Sequence, residues 1–346
     1  MASITFRNGE VLSDFGKPYI VAEMNMGHTG KIDLAKKMVL TAQKCGCDCV
    51  KFQSWTSKSL YSKVVYESNP IAKRIANRFS LSEEKLLEVK QYCDVIGITF
   101  SSTPYDKAEV DYLVDVCDAP YVKVASMDLN NYPFLEYIAS KQTPIVLSTG
   151  MADLEEIRKA VKTIFNAGNR QVCLLHCVAE YPPELESINL NNIYLLRSEF
   201  PECPIGLSDH SAGVEISTAA VALGVCMIEK HFTLDKKARG WDNEMAMEPD
   251  EMKQLVNNSR NVFTAMGSHE RIIGSGEMEQ RRRIRRSVVA TRNIAAGSVL
   301  KEDDLDCKRP GTGIPPEKMK SLIGRKILRN ITADEMIMES DLEERY

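Results

Sequence analysis

His231 closes a β-like run and His210 stands just beyond another, and the two runs are consecutive along the chain. Two imidazoles at neighbouring strand ends can supply two ligands to a divalent cation and leave its other positions for water and a substrate oxygen. A pair of histidines hydrogen-bonded to the backbone would have the same spacing. Glu229 stands two residues before His231, and the period of two in a strand puts both side chains on one side. A carboxylate there can act as a general base, position a water or orient the imidazole. Lys51 and Lys123 close two further runs, and with Thr103, Ser126, Ser148 and Ser208 they make a set of cationic and hydroxyl donors suited to a phosphate or carboxylate. A Schiff-base lysine is the competing catalytic role, and helix capping the competing role of each hydroxyl. Trp55 and Trp241 follow strand ends, where an indole either lines a mouth or packs a loop.

These residues need elements to position them. Eight short runs rich in Val and Ile, at 19–23, 49–53, 98–102, 121–125, 144–148, 172–176, 205–208 and 227–231, are each followed by a polar or glycine break and then a helix-period segment. Helical patterns fall at 34–45, 83–96, 154–165 and 214–223, and Ser80 with Glu83 and Asp153 with Glu156 have capping-box spacing. Eight such units in about 250 residues predict an α/β chain folded as a (β/α)8 TIM barrel; a doubly wound sheet is the alternative. Nearly every run ends in polar residues, among them Glu23, Lys51, Gln53, Ser102, Thr103, Lys123, Ser148, Thr149, His176, Ser208 and Glu229, and in a barrel such ends converge on the catalytic face. Ahead of the barrel, Ile4 to Leu12 with Asn8-Gly9 at its centre predicts a hairpin plugging the opposite end.

The chain has 346 residues, 44% hydrophobic and 27% charged, with 19 Gly and 14 Pro, which excludes disorder as its main state. A net charge of -4 leaves no global basic field to attract nucleic acid or acidic lipid. The most apolar stretch, 216–228, is broken by Ser217, Thr218 and Gly224, so no membrane span is expected. Residues 1–17 lack the succession of a signal peptide, and a cytoplasmic location is expected. Ten cysteines without Cys-x-x-Cys spacing read as reduced core thiols.

After Gly267 the texture changes. Gln280 to Arg286 carries five arginines among seven residues, without aromatic interleaving, and suits a linker or interdomain anchor better than a nucleic-acid patch. Short strand and turn signals follow. Arg292 to Leu305 and Arg329 to Leu342 align without a gap and share seven of fourteen positions, which predicts a small pseudo-symmetric β module. The expected organisation is a catalytic barrel over 1–275, a linker over 276–286 and a small domain over 287–346.

Taken together, the motifs resemble the sialic acid synthase family, phosphoenolpyruvate-condensing enzymes that make N-acetylneuraminate, legionaminate and pseudaminate. The resemblance runs the length of the chain, through VAEM (Val21 to Met24), KFQS (Lys51 to Ser54), SSTPY (Ser101 to Tyr105), KVASMDLNNYP (Lys123 to Pro133), LSTGM (Leu147 to Met151), LLHC (Leu174 to Cys177), GLSDH (Gly206 to His210) and IEKHFTLD (Ile228 to Asp235). The tail resembles that family's antifreeze-like (SAF, β-clip) domain through RRSVVA (Arg285 to Ala290) and KRPGTGI (Lys308 to Ile314). The resemblance implies that His210 and His231 bind a divalent metal, Mn2+ or Mg2+, which polarises the open-chain sugar aldehyde. It implies phosphoenolpyruvate bound by Lys51, Thr103, Lys123, Ser126, Ser148 and Ser208, and Glu23 and Glu229 in acid–base and water-positioning roles. Gln53, Tyr181 and Asp242 match positions that contact the amino sugar. Arg309 would reach over the active site of a partner subunit, so a domain-swapped homodimer is expected.

The chain also departs from the family pattern. Asn25-Met26-Gly27-His28 replaces the common Gly-x-Asn-His, Ser126-Met127-Asp128 the common Ser-Gly-Glu, and Asn243 and Ala246 stand for a usual His and Ser. Before Tyr181-Pro182, the Asn of some members is absent. None of these touches the metal or phosphoenolpyruvate motifs, and all bear on the sugar pocket. The competing functions are a metal-independent Schiff-base aldolase and a non-catalytic sugar-binding protein.

Overall fold

The computed structural model describes residues 1–238 and 243–344. It divides into two compact units, Met1–Gly267 and Ser268–Tyr346.

The first unit opens with the hairpin β1 (Ser3–Thr5) and β2 (Val11–Ser13). Eight parallel strands follow: β3 (Tyr19–Glu23), β4 (Cys49–Gln53), β5 (Thr99–Thr103), β6 (Val122–Val124), β7 (Ile145–Ser148), β8 (Val172–Cys177), β9 (Ile205–Asp209) and β10 (Met227–His231). Their ladder runs β5-β4-β3-β10-β9-β8-β7-β6. This is a nearly closed TIM-like barrel; β5 and β6 lack a ladder and are tied by Ser101 Oγ donating to the Tyr121 carbonyl at 3.4 Å. The helices 32–45, 83–96, 154–166 and 215–222 lie where periodicity predicts them. Asp153 and Glu156 form their capping box, but the cap of 83–96 is Ser82, whose Oγ accepts from Lys85 N. Ser80 instead donates to the Ala76 carbonyl at 2.7 Å, at the end of the helix Pro70–Phe79. Leu81, between the two serines, is buried. Three short helices between β4 and that cap, Ser57–Leu60, Lys63–Ser68 and Pro70–Phe79, were not among the patterns legible in the sequence.

Period-two alternation sorts the strand residues. Outward residues such as Ile20, Val50, Phe100, Val124, Leu147, Leu174, Leu207 and Ile228 join the helices in the main core. Inward residues in the lower half of the barrel, Tyr19, Val21, Cys49, Tyr121, Val146, Cys173, Leu175 and Met227, pack with Ile4, Phe6 and Leu12 of the hairpin. Phe6 stacks on Tyr121 at 4.4 Å between ring centroids and meets Tyr19 edge-on at 5.7 Å, so the hairpin is the expected plug. Gly206 is required at this level, because a Cβ would lie 2.4 Å from Leu175 Cδ2 and 2.9 Å from the Met227 carbonyl oxygen. One step further up the same inward faces the side chains turn polar.

Ten free cysteines are present, nine of them buried. Among the described residues no helix is long and apolar enough to cross a membrane.

In the second unit, the segment read as a linker is largely helical, Ser275–Ile284, and exposed throughout. A small β domain follows, with β11 (Ser287–Ala290) antiparallel to β12 (Leu305–Lys308). The sequence echo is a physical pseudo-two-fold. Ile294 and Ile331 exchange both backbone hydrogen bonds, at 2.8 and 2.9 Å, and the bridge Val289–Met336 is matched by Val299–Lys326. Arg292 donates to Asp304 at 2.8 Å and Arg329 to Asp341 at 2.6 Å. Each of these buried aspartates also caps a turn, at Lys301 N and Met338 N.

Candidate active site

Twelve of the fourteen predicted site residues line one cavity of about 370 Å³ at the C-terminal ends of the barrel strands. They are Glu23, Lys51, Gln53, Thr103, Lys123, Ser126, Ser148, Tyr181, Ser208, His210, Glu229 and His231. Asp242, together with Trp241, lies outside the described residues. Arg309 belongs to the second unit, just after β12.

Buried polar groups pair across the floor of the cavity, with Glu229 Oε2 left without a hydrogen-bond partner. Lys51 pairs with Glu23, donates to Thr103 Oγ1 at 3.1 Å and lies 3.9 Å from Glu229. Lys123 donates to Ser148 Oγ at 2.7 Å and lies 3.6 Å from the Glu229 oxygen that accepts Ser208 Oγ at 3.0 Å. Glu23 Oε1 accepts from Asn25 N at 2.8 Å and Gln53 Nε2 at 3.2 Å. Ser126 Oγ accepts from Gly150 N at 3.1 Å.

These contacts set the protonation tendencies. Burial pushes the Glu229 carboxyl up, but Lys123, Lys51 and the Ser208 hydroxyl outweigh it and hold the group below its ordinary range. In Glu23 burial outweighs the opposing Lys51, and the carboxyl is raised. Burial lowers Lys123, whereas in Lys51 the flanking Glu229 and Glu23 overcome burial and raise it.

Above the floor, the rings of His210 and His231 meet edge-on with centroids 5.2 Å apart, and the Tyr181 ring covers His210 at 4.2 Å. Burial lowers both histidines, His231 well below its ordinary value, so both rings are neutral near pH 7. His210 Nδ1 lies 2.7 Å from the Val178 carbonyl, which assigns its proton to Nδ1 and leaves Nε2 with a lone pair. Two neutral imidazoles beside a carboxylate are a donor set that fits a divalent cation. Among the described residues no group of three or more His, Cys, Asp or Glu is placed to hold a metal ion.

Not every strand-end polar residue points inward. His176 faces away from the barrel, with Nε2 at 2.6 Å from the Ile188 carbonyl, and lines a neighbouring cavity instead. Asp209 and Lys230 form a buried pair at 2.8 Å, closed by Ser211 and Ser217. Other lining residues were not singled out from sequence. Cys177 and Tyr105 had a signal, since Cys177 lies two positions past Leu175 on one face and Tyr105 closes the SSTPY motif. Met26 and Met127 stand in the two segments that depart from the family pattern and Met151 closes the LSTGM motif, whereas Leu60, on a short helix, carried no signal. Trp55 lines the cavity and donates from Nε1 to Gln53 Oε1 at 3.1 Å.

A (β/α)8 barrel with a buried lysine–carboxylate–hydroxyl floor beneath two histidines, in a cavity at the C-terminal strand ends, has the form of an enzyme site. The chain belongs to the NeuB family, whose model matches residues 38–271, and a SAF domain matches residues 285–343. It is 42% identical over 330 residues to an uncharacterized protein of Methanocaldococcus jannaschii, covering 94% of this chain and 95% of that one. It is 35% identical to the N,N'-diacetyllegionaminic acid synthase of Legionella pneumophila, covering 94% of each. Its fold matches the crystal structure of an N-acetylneuraminic acid synthetase from Leptospira borgpetersenii with a TM-score of 0.74 and 31% identity, over 80% of this chain and 94% of that one. Several of its relatives are named as acid synthases, and the chain is an enzyme of that family.

Proposed function

We propose that this enzyme condenses phosphoenolpyruvate with the open-chain form of an N-acetylated aminohexose, N-acetylmannosamine or a related acetamido sugar. The products are a nine-carbon nonulosonic (sialic-acid-like) acid and phosphate. The observation that carries the reading is the floor, where two buried lysines and the hydroxyls of Thr103, Ser126, Ser148 and Ser208 converge beneath the two histidines. Lysines bind phosphate as point charges, and the hydroxyls add direction.

As ionised groups Lys51 and Lys123 cancel Glu23 and Glu229, so among the described lining residues no net positive charge remains for a multiply charged anion. A divalent metal, manganese or magnesium, held by His210 and His231 would offset that charge and act as a Lewis acid on the sugar aldehyde. Lys123 and Ser148 orient the phosphate and carboxylate of phosphoenolpyruvate, with Lys51, Thr103, Ser126 and Ser208 completing the cradle. Its C3 forms the new bond to the aldehyde carbon. Water adds at C2, and the bond from C2 to the phosphate oxygen then breaks. Glu229 and Glu23 are the carboxylates available to orient that water and to move protons. Gln53, Tyr181 and Asp242 are assigned to the sugar. Arg309 is assigned to the sugar in the partner subunit's site, which makes the working assembly a domain-swapped homodimer.

Phosphate release from phosphoenolpyruvate, with mass detection of the product, tests the reading against N-acetylmannosamine, its 6-phosphate and diacetamido-trideoxyhexoses, each with manganese and with chelator. Metal-dependent release with one acceptor and a nine-carbon product is expected; silence across the panel overturns it. A second reading, a Schiff-base aldolase, draws on the buried Lys123, whose lowered affinity for protons suits a nucleophilic amine. Borohydride trapping with pyruvate separates the two, since an adduct on Lys51 or Lys123 supports the aldolase.

A further inference from the structure

We infer that Glu109, which does not itself line the cavity, is a positioning residue that sets the acceptor-binding wall of the site; the inference rests on the condensation reading above. Glu109 sits on the helix Lys107–Asp111 that follows β5 and is only 5% exposed. A buried carboxylate is costly unless its oxygens are hydrogen-bonded, and both are. Oε1 accepts from Ser59 Oγ at 2.5 Å and Oε2 from Tyr105 N at 2.7 Å. Ser59 Oγ in turn accepts from Thr56 N at 2.8 Å.

One carboxylate thereby ties two separate pieces of the wall together. The first is the helix Ser57–Leu60, whose last residue lines the cavity. At four residues it is too short to persist on its own. The second is the loop of Tyr105, whose side chain lines the cavity and whose hydroxyl donates to Gln53 Oε1 at 3.3 Å. Gln53 also takes the Trp55 indole and donates to Glu23, so the chain of contacts runs from Glu109 to the edge of the floor. Burial pushes the Glu109 carboxyl up to about 7, against the hydrogen bonds from Ser59 and Tyr105. An apolar residue here would avoid that cost but would leave Ser59 Oγ and Tyr105 N without this acceptor. The anion-binding lysines and hydroxyls sit on the barrel strands or just beyond them and make no bond to Glu109. Its loss therefore falls on the acceptor and spares phosphoenolpyruvate.

Steady-state kinetics of the full-length manganese enzyme on Glu109→Ala, Glu109→Gln and Ser59→Ala test this, with hydrogen exchange at residues 56–60 and Tyr105. Glu109→Ala is expected to raise the acceptor KM about tenfold, a shift of roughly 1.4 kcal/mol, with the phosphoenolpyruvate KM within about twofold. Gln retains an accepting oxygen and should recover most of the loss, and Ser59→Ala should fall between. Exchange at 56–60 should speed up in Glu109→Ala. An unchanged acceptor KM, or an equal rise in both KM values, overturns the inference; if Glu109→Ala does not fold, an unchanged acceptor KM in Ser59→Ala does so. If the wild type turns over no acceptor, the condensation reading fails, and exchange alone then decides the clamp: unchanged rates at 56–60 overturn it.

Discussion

Lys123 and Glu229 face each other across the barrel floor at 3.6 Å, with Ser148 bonded to the lysine at 2.7 Å and Ser208 to the carboxylate at 3.0 Å. An incoming anion must take Lys123 into its own contacts, and Ser148 is placed to follow. Lys123→Met removes the ammonium and keeps most of the stem. Hydrogen bonds to charged groups contribute about 1.5–3 kcal/mol, so kcat/KM for phosphoenolpyruvate should fall roughly 10- to 150-fold. Circular dichroism should be unchanged. A phosphoenolpyruvate kcat/KM within twofold of wild type would remove Lys123 from the binding site.

The two neutral imidazoles predict a metal requirement that can be read without turnover. Dialysis against chelator should abolish activity, and manganese should restore it. His231→Ala should lose bound manganese as measured by plasma emission after desalting, because one imidazole cannot hold the ion alone. Stoichiometric manganese in His231→Ala would show that the ion sits elsewhere.

His28 gives an effect on stability. It is 2% exposed, packs against Phe52 at 5.7 Å between centroids, and its Nδ1 accepts from Gly30 N at 3.1 Å. Burial lowers its pKa to about 4, with Lys85 adding to the effect. The unfolded chain therefore binds the proton first as pH falls below about 6.5, and stability drops from there down to about pH 4. Between pH 7.5 and 5.0 the loss attributable to His28 should be about 2 kcal/mol. Urea unfolding of wild type and His28→Asn at both values checks this; an equally steep pH dependence in the variant would assign the effect to other groups.

Much of this site was legible because period two and strand ends carry it. Once 49–53 and 227–231 read as strands, Lys51, Glu229 and His231 had to share inward faces one step above Cys49 and Met227. Composition does not reveal which face is inward, and so His176 was grouped with the cavity residues although it points to the Ile188 carbonyl outside the barrel. Glu109 was invisible for a different reason. In the run Lys107-Ala-Glu-Val-Asp111 it looks like a solvated helix position, and the partners that bond its buried oxygens, Ser59 fifty residues away and the Tyr105 backbone N–H, are not registered by local periodicity. The helices between 57 and 79 have few buried residues and lean on partners elsewhere in the chain, which local periodicity does not register.

If Arg309 serves the partner subunit's site, two crippled chains should repair each other. His210→Ala damages the barrel site, and Arg309→Ala damages only what the second unit delivers across a dimer. Each homodimer should be nearly inactive. Unfolded and refolded together in equal amounts, half of the dimers are mixed, and each mixed dimer pairs one intact barrel with one intact Arg309. Activity should recover to about a quarter of wild type, the statistical limit for a two-fold assembly. If Arg309 served its own barrel, every mixed dimer would still combine one site lacking His210 with one lacking Arg309, and the mixture would show no recovery above the sum of its parts.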